Sequence, residues 1–586
     1  MEYPTLYVKE KSRQMVEVFN GYNHNLRIGD GEFFDMKNMT SDYYPVLAPR
    51  GRRGVYKDGV RANGLIAKDA LCYVDGSKFV INEYEVDMGL NDEPKQLISM
   101  GAYVIVMPDR KWINTKNLEH GNIDSEFASE SLVRFSMCKQ DGIDYETIYS
   151  EEPQKPKNGD LWIDTSSDPN ALKQWSDTSE MWVTIATTYV KISCPGIDEA
   201  FEKYDGITIS GLSGVLTDEN GNVLSDTSDL AALEGSAVVW EKGEGFIVVV
   251  GLLEKAKTIS ESITFSRKMP AMDFIIESGN RLFGCKYGES NNGEIVNEIY
   301  ASKLGDFKNW NCFMGVSTDS YVASCGTDGQ FTGAITHMGY PLFFKENCVH
   351  KVYGNYPANF KIQDTACNGV QNGCGNSLAI VNTTLLYKSR GGVFACDGSI
   401  PTEISYALGN KAYKNAVGGA HDNKYYISME DENGASNLFV YDAAKGMWHK
   451  EDDLKVDAFC SCNGEMYAIS GGKVITMLGS GDAGENAVEW MAETGEIGMN
   501  SPDMKYISRL TLRMAMDIGA EMAVYAQYDF SSRWELVCRI KGTSLRSFSI
   551  PVRPKRCDNM KLRIEGIGNA KIYSITKTIE QGSEIS

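Results

Sequence analysis

The stretch NKYYISMEDENGASNLFVYDAAKGMWHKE, residues 423–451, shows the organisation of the chain most clearly. It contains short runs rich in Tyr, Ile, Phe and Val, separated by turns of Gly, Asn and Asp, which is typical of antiparallel strands. Asp442 stands at one of these turns, and Trp448 enters the strand that follows. A unit of this length predicts one four-stranded antiparallel sheet, which is the content of one β-propeller blade.

Similar units recur along the chain, with little sequence identity between them. ALCYVDGSKFVINEY (70–84) predicts a hairpin with Asp75 and Gly76 at its turn. Further units are predicted at 95–115, 272–313, 340–354, 383–405 and 458–478. The 30 Tyr and 57 Gly residues also favour strands and tight turns over helices. We therefore predict an all-β protein built on a β-propeller; an array of packed sheets is the alternative.

The regular units are interrupted between residues 118 and 270. We predict the N-terminal segment and the first propeller blades in 1–117, and the remaining blades in 271–480. Between them we predict a Trp-rich insertion, 118–186, and an inserted small β-barrel, 187–270. Residues 481–486, GDAGEN, are typical of a linker, and the alternating pattern of 487–580 predicts a C-terminal β-sandwich.

The chain carries 79 Asp and Glu against 58 Lys and Arg, a net charge of −21. Such a chain is not expected to wrap DNA, because clustered Lys and Arg are needed to neutralise phosphates. An acidic surface can line a passage along which DNA slides, although solubility alone also explains it. Two local basic clusters, one at 546–563 and one formed by Arg50, Arg52, Arg53 and Lys57, are candidate contacts for DNA or an acidic partner; a solvated face is the alternative.

Motifs that carry chemistry are missing from the sequence. It has no phosphate-binding loop, no H-E-x-x-H zinc helix and no G-x-S-x-G nucleophile elbow. Its six His have no i, i+4 spacing, and its 14 scattered Cys are typical of a protein made in a reducing cytoplasm. No signal peptide or membrane-spanning apolar run is recognisable.

A propeller glycosidase would need two carboxylates facing one sugar. The candidate acids all stand in turns, where Asp is expected for structural reasons: Asp306, Asp397, Asp422 and Asp442. We therefore predict a protein that is not an enzyme and that needs no cofactor or metal.

Three tryptophans, Trp162, Trp175 and Trp182, lie close together in the predicted insertion. Exposed Trp rings stack on sugar faces, so these residues are candidate contacts for carbohydrate or for a partner protein. The alternative is that they form the core of a small domain, which needs large apolar residues.

The N-terminal stretch VFNGYNHNLRIGDGEFFDMKNMTSDYYPVLAPRGRRG (18–54) resembles the opening of a family of tailed-bacteriophage structural proteins. These are the propeller-bearing tail-hub or nozzle proteins, also called packaged-DNA stabilisation proteins. The matching residues are Asn38, Met39, Thr40, Tyr44, Pro45, Leu47 and Arg50. YASKLGDFKNW (300–310) is similar to a strand-turn-strand of phage virion proteins of Firmicutes, and FVYDAAKGMWHKED (439–452) is similar to their later blades. Residues 508–566 also resemble these proteins.

The resemblance covers most of the chain outside 118–270, and it defines no catalytic residues. It implies a virion component at the neck or tail, such as a tail hub, nozzle or head–tail connector, made in the bacterial host cytoplasm. It also implies a homo-oligomeric ring around the DNA exit path, through which DNA passes during ejection without sequence-specific binding. Portal-adaptor, tail or fibre proteins are the implied partners. A tail-tip carbohydrate-binding adhesin, or a propeller glycosidase, is the alternative function.

Overall fold

The computed structural model describes residues 11–499 and 504–581. Strands make up 52% of the residues and helices 3%, so the predicted all-β class is confirmed. The described helices are the α-helices α1 (Ile197–Ala200) and α2 (Ser228–Ala231) and three 3-10 helices, Pro357–Asn359, Gly375–Ser377 and Tyr406–Leu408. None of these described helices has the length and apolar character needed to cross a bilayer.

Six short strands precede the first propeller blade. They are β1 (Lys11–Val16), β2 (Gly21–Tyr22), β3 (Glu32–Lys37), β4 (Met39–Thr40), β5 (Ala48–Pro49) and β6 (Gly54–Lys57). Blade 1 follows as β7 (Ala62–Ala67), β8 (Leu71–Asp75), β9 (Lys78–Ile81) and β10 (Tyr84–Asp87). Blade 2 consists of β11 (Gln96–Met100), β12 (Tyr103–Met107), β13 (Lys111–Asn114) and β14 (His120–Asn122). Blades 1 and 2 are each an antiparallel four-stranded sheet in chain order.

The insertion leaves the propeller after β14. Its strands are β15 (Ser125–Ala128), β16 (Val133–Cys138), β17 (Leu161–Asp164), β18 (Ala171–Ser176), β19 (Met181–Thr184), β20 (Tyr189–Ser193), β21 (Gly206–Ser210), β22 (Gly235–Val238), β23 (Glu241–Gly243), β24 (Phe246–Val250), β25 (Lys257–Ile259) and β26 (Thr264–Arg267). They form a four-stranded sheet (β15-β26-β21-β22), a five-stranded sheet (β23-β24-β20-β16-β25) and a three-stranded sheet (β17-β18-β19). The three sheets share one core, which includes Phe135, Leu172, Ile192 and Phe265.

Five more blades follow the insertion. Blade 3 is β27 (Phe274–Ser278), β28 (Arg281–Glu289), β29 (Ile295–Ala301) and β30 (Tyr321–Ser324); blade 4 is β31 (Gly333–His337), β32 (Tyr340–Lys345), β33 (Cys348–Tyr353) and β34 (Lys361–Ala366). Blade 5 is β35 (Ala379–Val381), β36 (Thr384–Ser389), β37 (Gly392–Cys396) and β38 (Thr402–Glu403); blade 6 is β39 (Tyr413–His421), β40 (Lys424–Asp431), β41 (Ser436–Asp442) and β42 (Met447–Lys450). Blade 7 is β43 (Ala458–Cys462), β44 (Glu465–Ser470) and β45 (Lys473–Thr476), with the short β46 (Asp482–Ala483) beside it.

The seven blades close into a wheel, which confirms the predicted propeller. The first strands of most neighbouring blades contact one another, the 3-10 helix Gly375–Ser377 lies between β31 and β39, and β43 returns to β7. The fourth strand of blade 7 is β6, which precedes blade 1 in the chain, with Val55 opposite Ile475. Strand pairing between the two ends of the propeller therefore closes the ring.

Two-residue turns with left-handed backbone join the first two strands of several blades. In blade 7 Asn463 and Gly464 have φ of 51° and 77°, and in blade 3 Gly279 and Asn280 have φ of 58° and 61°. Positive φ at both positions is the type I′ turn, whose twist matches that of paired strands. Because Gly and Asn adopt this conformation with little strain, the local sequence sets the register of these hairpins.

The C-terminal strands are β47 (Glu489–Thr494), β48 (Lys505–Tyr528), β49 (Glu535–Ile550), β50 (Met560–Ile567) and β51 (Ala570–Gln581). One edge of β48 pairs with β51 along its first half and with β50 along its second half, while the other edge pairs with β49. The sheet bends where β48 changes partner, near Gly519, and Leu512 and Val524 on its two halves are buried in one core. The bent sheet is the predicted C-terminal β-sandwich.

The sandwich continues the sheet of blade 6. β2 pairs with β42 (Tyr22 opposite Trp448) and with β3, which pairs with β47, so blade 6 and the sandwich form one 12-stranded sheet. Strand β1 pairs with β51 at its far side. The N-terminal segment therefore belongs to the joint between propeller and sandwich as much as to the first blades.

Some predicted boundaries differ from the sheets. The small barrel is instead a pair of facing sheets around a shared core, and these two sheets have no strand in common among the described residues. The division at residue 186 does not hold either, because β15 and β16 pair with β26, β20 and β25. The supposed linker 481–486 is fixed, since Asp482 pairs with Val55 in β6. These long-range pairings leave no local pattern in the sequence.

Candidate functional site

A cavity of about 1100 Å³ lies at the centre of the propeller. It is lined by residues of blades 1, 2, 3, 4, 6 and 7. Its charged residues are Arg61, Asp92, Lys95, Asp273, Glu430, Lys455 and Asp457. Four acids and three bases nearly balance, so this cavity is not the strongly acidic passage considered from the net charge.

Most of these cavity charges are paired within the protein. Arg61 Nη1 lies 2.5 Å from Asp92 Oδ2, Lys455 Nζ lies 3.2 Å from Glu430 Oε1, and Lys286 Nζ lies 2.9 Å from Asp273 Oδ1. Asn415 Nδ2 donates to the second oxygen of Glu430 at 2.7 Å. Both oxygens of Glu430 are thus occupied, which suits a structural carboxylate better than a general base.

The two carboxyl groups near Lys455 have pKa values shifted in opposite directions. Hydrogen bonds from Asn415 and Lys455 lower the pKa of Glu430, whereas burial raises the pKa of Asp457. Glycosidases use a pair of carboxyl groups with separated pKa values. Asp457 is therefore the cavity residue to test for proton donation.

Two of the N-terminal residues that resemble the phage proteins, Asn38 and Arg50, lie in a joint between propeller and sandwich. We call it the first joint (Asn38, Arg50, Arg53, Glu451, Asp452 and Glu485). Asn38 Nδ2 donates to the backbone oxygen of Glu489 at 2.7 Å, and Arg50 Nε donates to Asn38 Oδ1 at 2.9 Å. The Asn38 backbone N–H donates to Glu451 at 2.6 Å. Asn38 thus ties the end of blade 6 to the first strand of the sandwich.

Two buried arginines carry the charge of the first joint. Arg50 donates to both oxygens of Glu485 at 2.8 Å, and Arg53 contacts Glu451 at 2.5 Å and Asp452 at 2.6 Å. Both arginine side chains are only 6% exposed. Burial by itself raises the pKa of Glu485, but hydrogen bonds from Arg50 and the Arg53 backbone outweigh it and hold that pKa below its usual range.

The predicted basic contact cluster is thereby divided. Arg50 and Arg53 are committed to acids inside the protein, while Arg52 and Lys57 are exposed. Of the four residues only Arg52 and Lys57 are placed to contact DNA or a partner. Sequence alone could not separate them, because the acids that bind Arg50 and Arg53 lie about 400 residues away along the chain.

The second stretch that resembles phage proteins, 300–310, forms a joint to the insertion, which we call the second joint (Asp205, Arg267, Asp306 and Asn309). Asn309 is fully buried; its Nδ2 donates to Asp205 Oδ1 at 2.8 Å and to Asp306 Oδ2 at 2.6 Å. Its Oδ1 accepts from the backbone N–H of Gly206 at 2.8 Å. Arg267 pairs with Asp205 on the insertion side. Apart from the motif itself, no pattern in the sequence indicates this joint.

The three-stranded sheet of the insertion carries the tryptophans. Its register places Trp162 opposite Lys173 and Trp175 opposite Trp182, so all three rings share one face. Ring centroids of Trp162 and Trp175 lie 5.4 and 5.5 Å from that of Trp182. The other face contributes Leu161, Ile163 and Leu172 to the core of the insertion. All three Trp are half-buried.

The Trp face also holds polar groups at its rim. Trp175 Nε1 donates to Asp177 at 2.8 Å, and Trp182 Nε1 donates to Glu152 at 3.0 Å. Lys173 Nζ lies 5.5 Å from the centre of the Trp162 ring. A row of aromatic rings bordered by hydrogen-bonding groups is an arrangement on which a sugar chain or an extended partner segment can stack.

Comparison with known proteins leaves the family open: no family model and no curated protein matches the chain. Among solved structures, an exo-β-1,3-galactanase from Phanerochaete chrysosporium with galactose matches at 10% identity, covering 63% of this chain and 100% of its own, with a TM-score of 0.23. Trypanosoma rangeli sialidase matches at 9% identity over 97% of each chain, with a TM-score of 0.24. An acylaminoacyl peptidase from Pyrococcus horikoshii matches at 10% identity over 62% of this chain and 56% of its own, with a TM-score of 0.22. Similarities this weak support no inference about function.

Proposed function

We propose that this protein is a non-enzymatic structural component of a tailed-bacteriophage particle, placed at the neck or tail as a tail hub, nozzle or head–tail connector. In this role it assembles into a ring with further copies and contacts portal-adaptor, tail or fibre proteins around the DNA exit path. The host cytoplasm is the site of synthesis, and the virion is the final location.

One observation carries the proposal: the residues that resemble phage structural proteins form the joints of this molecule. Asn38 and Arg50, from the first motif, bind blade 6 and the sandwich together. Asn309, from the second motif, binds the insertion to blade 3. Shared residues at buried joints are expected of proteins whose task is to hold a shape, whereas shared residues of an enzyme family line its cavity.

The proposal is tested by looking for the chain in purified particles. Mass spectrometry and antibody labelling of phage released by the host that carries the gene should find it in DNA-filled particles, at the neck or tail. An amber mutation in the gene should give particles that cannot infect, and the wild-type chain supplied in trans should restore infection.

Variants of the first joint sharpen the test. Arg53→Ala should restore infection poorly, whereas Arg52→Ala, at the adjacent but exposed position, should restore it fully. Infectious particles that form without the chain would contradict the proposal, as would turnover of a glycan by the purified protein.

A second candidate function is supported by the Trp face alone. Three half-buried rings in a row on one face of a sheet suit a carbohydrate-binding adhesin at the tail tip. Trp175→Ala and Trp182→Ala should then abolish signals on a glycan array without unfolding the chain. Val183→Ala is the matched control, because Val183 follows Trp182 in β19, faces the opposite way and is 48% exposed.

A further inference from the structure

Strand β49 is a long strand at the edge of the sandwich. It spans 16 residues and, among the described residues, pairs only with β48. Leu536 and Leu545 on this strand are 51% and 50% exposed. No described strand covers its outer edge, an arrangement that natural proteins normally prevent because such an edge can pair with another chain.

The sandwich that carries this edge is basic, although the protein is acidic. Residues 504–581 hold 14 Lys and Arg against 7 Asp and Glu, a net charge of +7. Nine of these basic residues are exposed, and most lie on or beside β49: Arg509, Arg513, Arg533, Arg539, Lys541, Arg546, Arg553, Lys555 and Arg556. Two copies of this edge would repel each other if they paired symmetrically.

The insertion carries most of the opposite charge. Residues 118–270 hold 27 Asp and Glu against 12 Lys and Arg, a net charge of −15 out of −21 for the whole chain. Its acidic loop, residues 141–152, has no Lys or Arg and exposes five acids: Asp141, Asp144, Glu146, Glu151 and Glu152. Ile143 in this loop is 58% exposed and Tyr149 is 40% exposed.

The two charged parts lie on opposite sides of the wheel. The insertion leaves between blades 2 and 3, and the sandwich continues blade 6, so three blades separate them in either direction. They therefore point away from each other and do not neutralise one another within one chain. The molecule has a charge axis across the diameter of its propeller.

We propose that the partner of the β49 edge is a second copy of this chain, which seats its acidic insertion against the basic sandwich. The interface joins two different patches, the acidic insertion of one copy and the basic sandwich of the next. Each pair of copies therefore leaves one acidic and one basic patch unoccupied, and the contact repeats head to tail. A repeated head-to-tail contact forms a ring when its rotation closes. That the copies form a ring rests on the proposed function, and the new element is the pair of surfaces that meet in it.

Charge complementarity favours a second copy over nucleic acid as the occupant. A copy supplies a compact acidic loop with exposed apolar residues, which match the exposed Leu536 and Leu545, whereas a phosphate backbone offers charge alone. The opposite charges are exposed, so they act mainly on the rate of encounter and on orientation, and salt weakens their attraction. Self-association should therefore decrease as the salt concentration rises.

The test is sedimentation of the full-length protein over a range of concentration and salt. Two variants reverse the charge of one patch each: Arg539→Glu with Arg546→Glu on β49, and Glu146→Arg with Glu151→Arg on the acidic loop. Each variant alone should associate about tenfold or more weakly than the wild type, because like charges then face each other. An equimolar mixture of the two variants should associate again, because each patch finds its opposite on the other variant.

The control reverses two exposed lysines on blade 4 and before blade 6, Lys361→Glu with Lys411→Glu, and should leave association unchanged. A wild type that stays monomeric at every salt and concentration overturns the inference, and so does a mixture that fails to associate. Retardation of DNA fragments by the full-length protein in a gel-shift assay, lost in the variant Arg539→Glu with Arg546→Glu, also overturns it. Mass spectrometry of purified particles tests the phage role separately. A protein that is found in virions but stays monomeric would overturn this inference and leave the proposed function standing.

Discussion

Replacing Arg53 by Ala tests how much the buried ion pairs of the first joint stabilise the protein. Arg53 contacts Glu451 at 2.5 Å and Asp452 at 2.6 Å, and these side chains are 6%, 8% and 13% exposed. Removing one partner of a buried ion pair costs about 3–5 kcal/mol, because the remaining charge stays buried. Arg50 stays 3.6 Å from Glu451 and 3.5 Å from Asp452, so we expect about 3 kcal/mol.

The expected loss is measured by scanning calorimetry and by hydrogen exchange. Strands β6 to β46 without the insertion comprise roughly 280 residues, and at about 2.1 cal/mol/K of unfolding entropy per residue a loss of this size lowers the melting temperature by roughly 5 °C. Since β6 closes the ring and lies beside this joint, amide exchange should increase first in β6 and β46 and only later in blades 3 and 4. Arg53→Lys should fall between the wild type and Arg53→Ala, because lysine keeps the charge but cannot form the forked contact.

Arg52→Ala is the control, since Arg52 is exposed and such substitutions change stability by about 0.5 kcal/mol or less. If Arg53→Ala melts within a degree or two of Arg52→Ala, the buried ion pairs do not hold the joint. The same result with unchanged exchange in β6 would also remove the argument that the ion pairs of Arg53 hold β6 in place.

Three further outcomes follow from the described contacts. Burial lowers the pKa of His449 from its ordinary 6.5 to about 4, so the unfolded chain binds a proton before the folded chain does as the pH falls. About 3 kcal/mol of stability, fully present above pH 6.5, is therefore lost by about pH 4. In urea unfolding, His449→Gln should lack this part of the pH dependence, and His120→Gln, at an exposed position, should keep it. Asn309→Ala should raise amide exchange in the insertion and cost about 2–4 kcal/mol, and Asn309→Asp should cost more, because it adds a charge beside two acids. Asp457→Asn should remain folded, and neither it nor the wild type should hydrolyse a glycan. Hydrolysis by the wild type that is lost in Asp457→Asn would instead identify a propeller glycosidase.

Much of the fold can be predicted from the sequence, because hairpins are local. Dipeptides such as Asn463-Gly464 set the turn, and alternating Tyr, Val and Phe set the strands around it. Repetition of such hairpins is enough to predict an all-β propeller with a sandwich after it. The number of blades cannot be predicted in this way, because β6, from the opposite end of the propeller, completes the last sheet.

The candidate sites show the same division. The sequence identifies Trp162, Trp175 and Trp182 as a group, because they lie in one short segment of the chain. It cannot show that they share one face, which depends on the register of β17, β18 and β19. It also cannot separate the buried Arg53 from the exposed Arg52 next to it.

The sequence by itself determines the class of fold, the positions of the turns and the uneven distribution of charge along the chain. Tertiary structure alone decides that the acidic insertion and the basic sandwich lie across the wheel from each other, and that Asn38 and Asn309 hold the joints. The physical reason is range: turn chemistry acts over a few residues, whereas the contact of Asn38 with Glu489 spans 451 residues and exists only once the ring has closed.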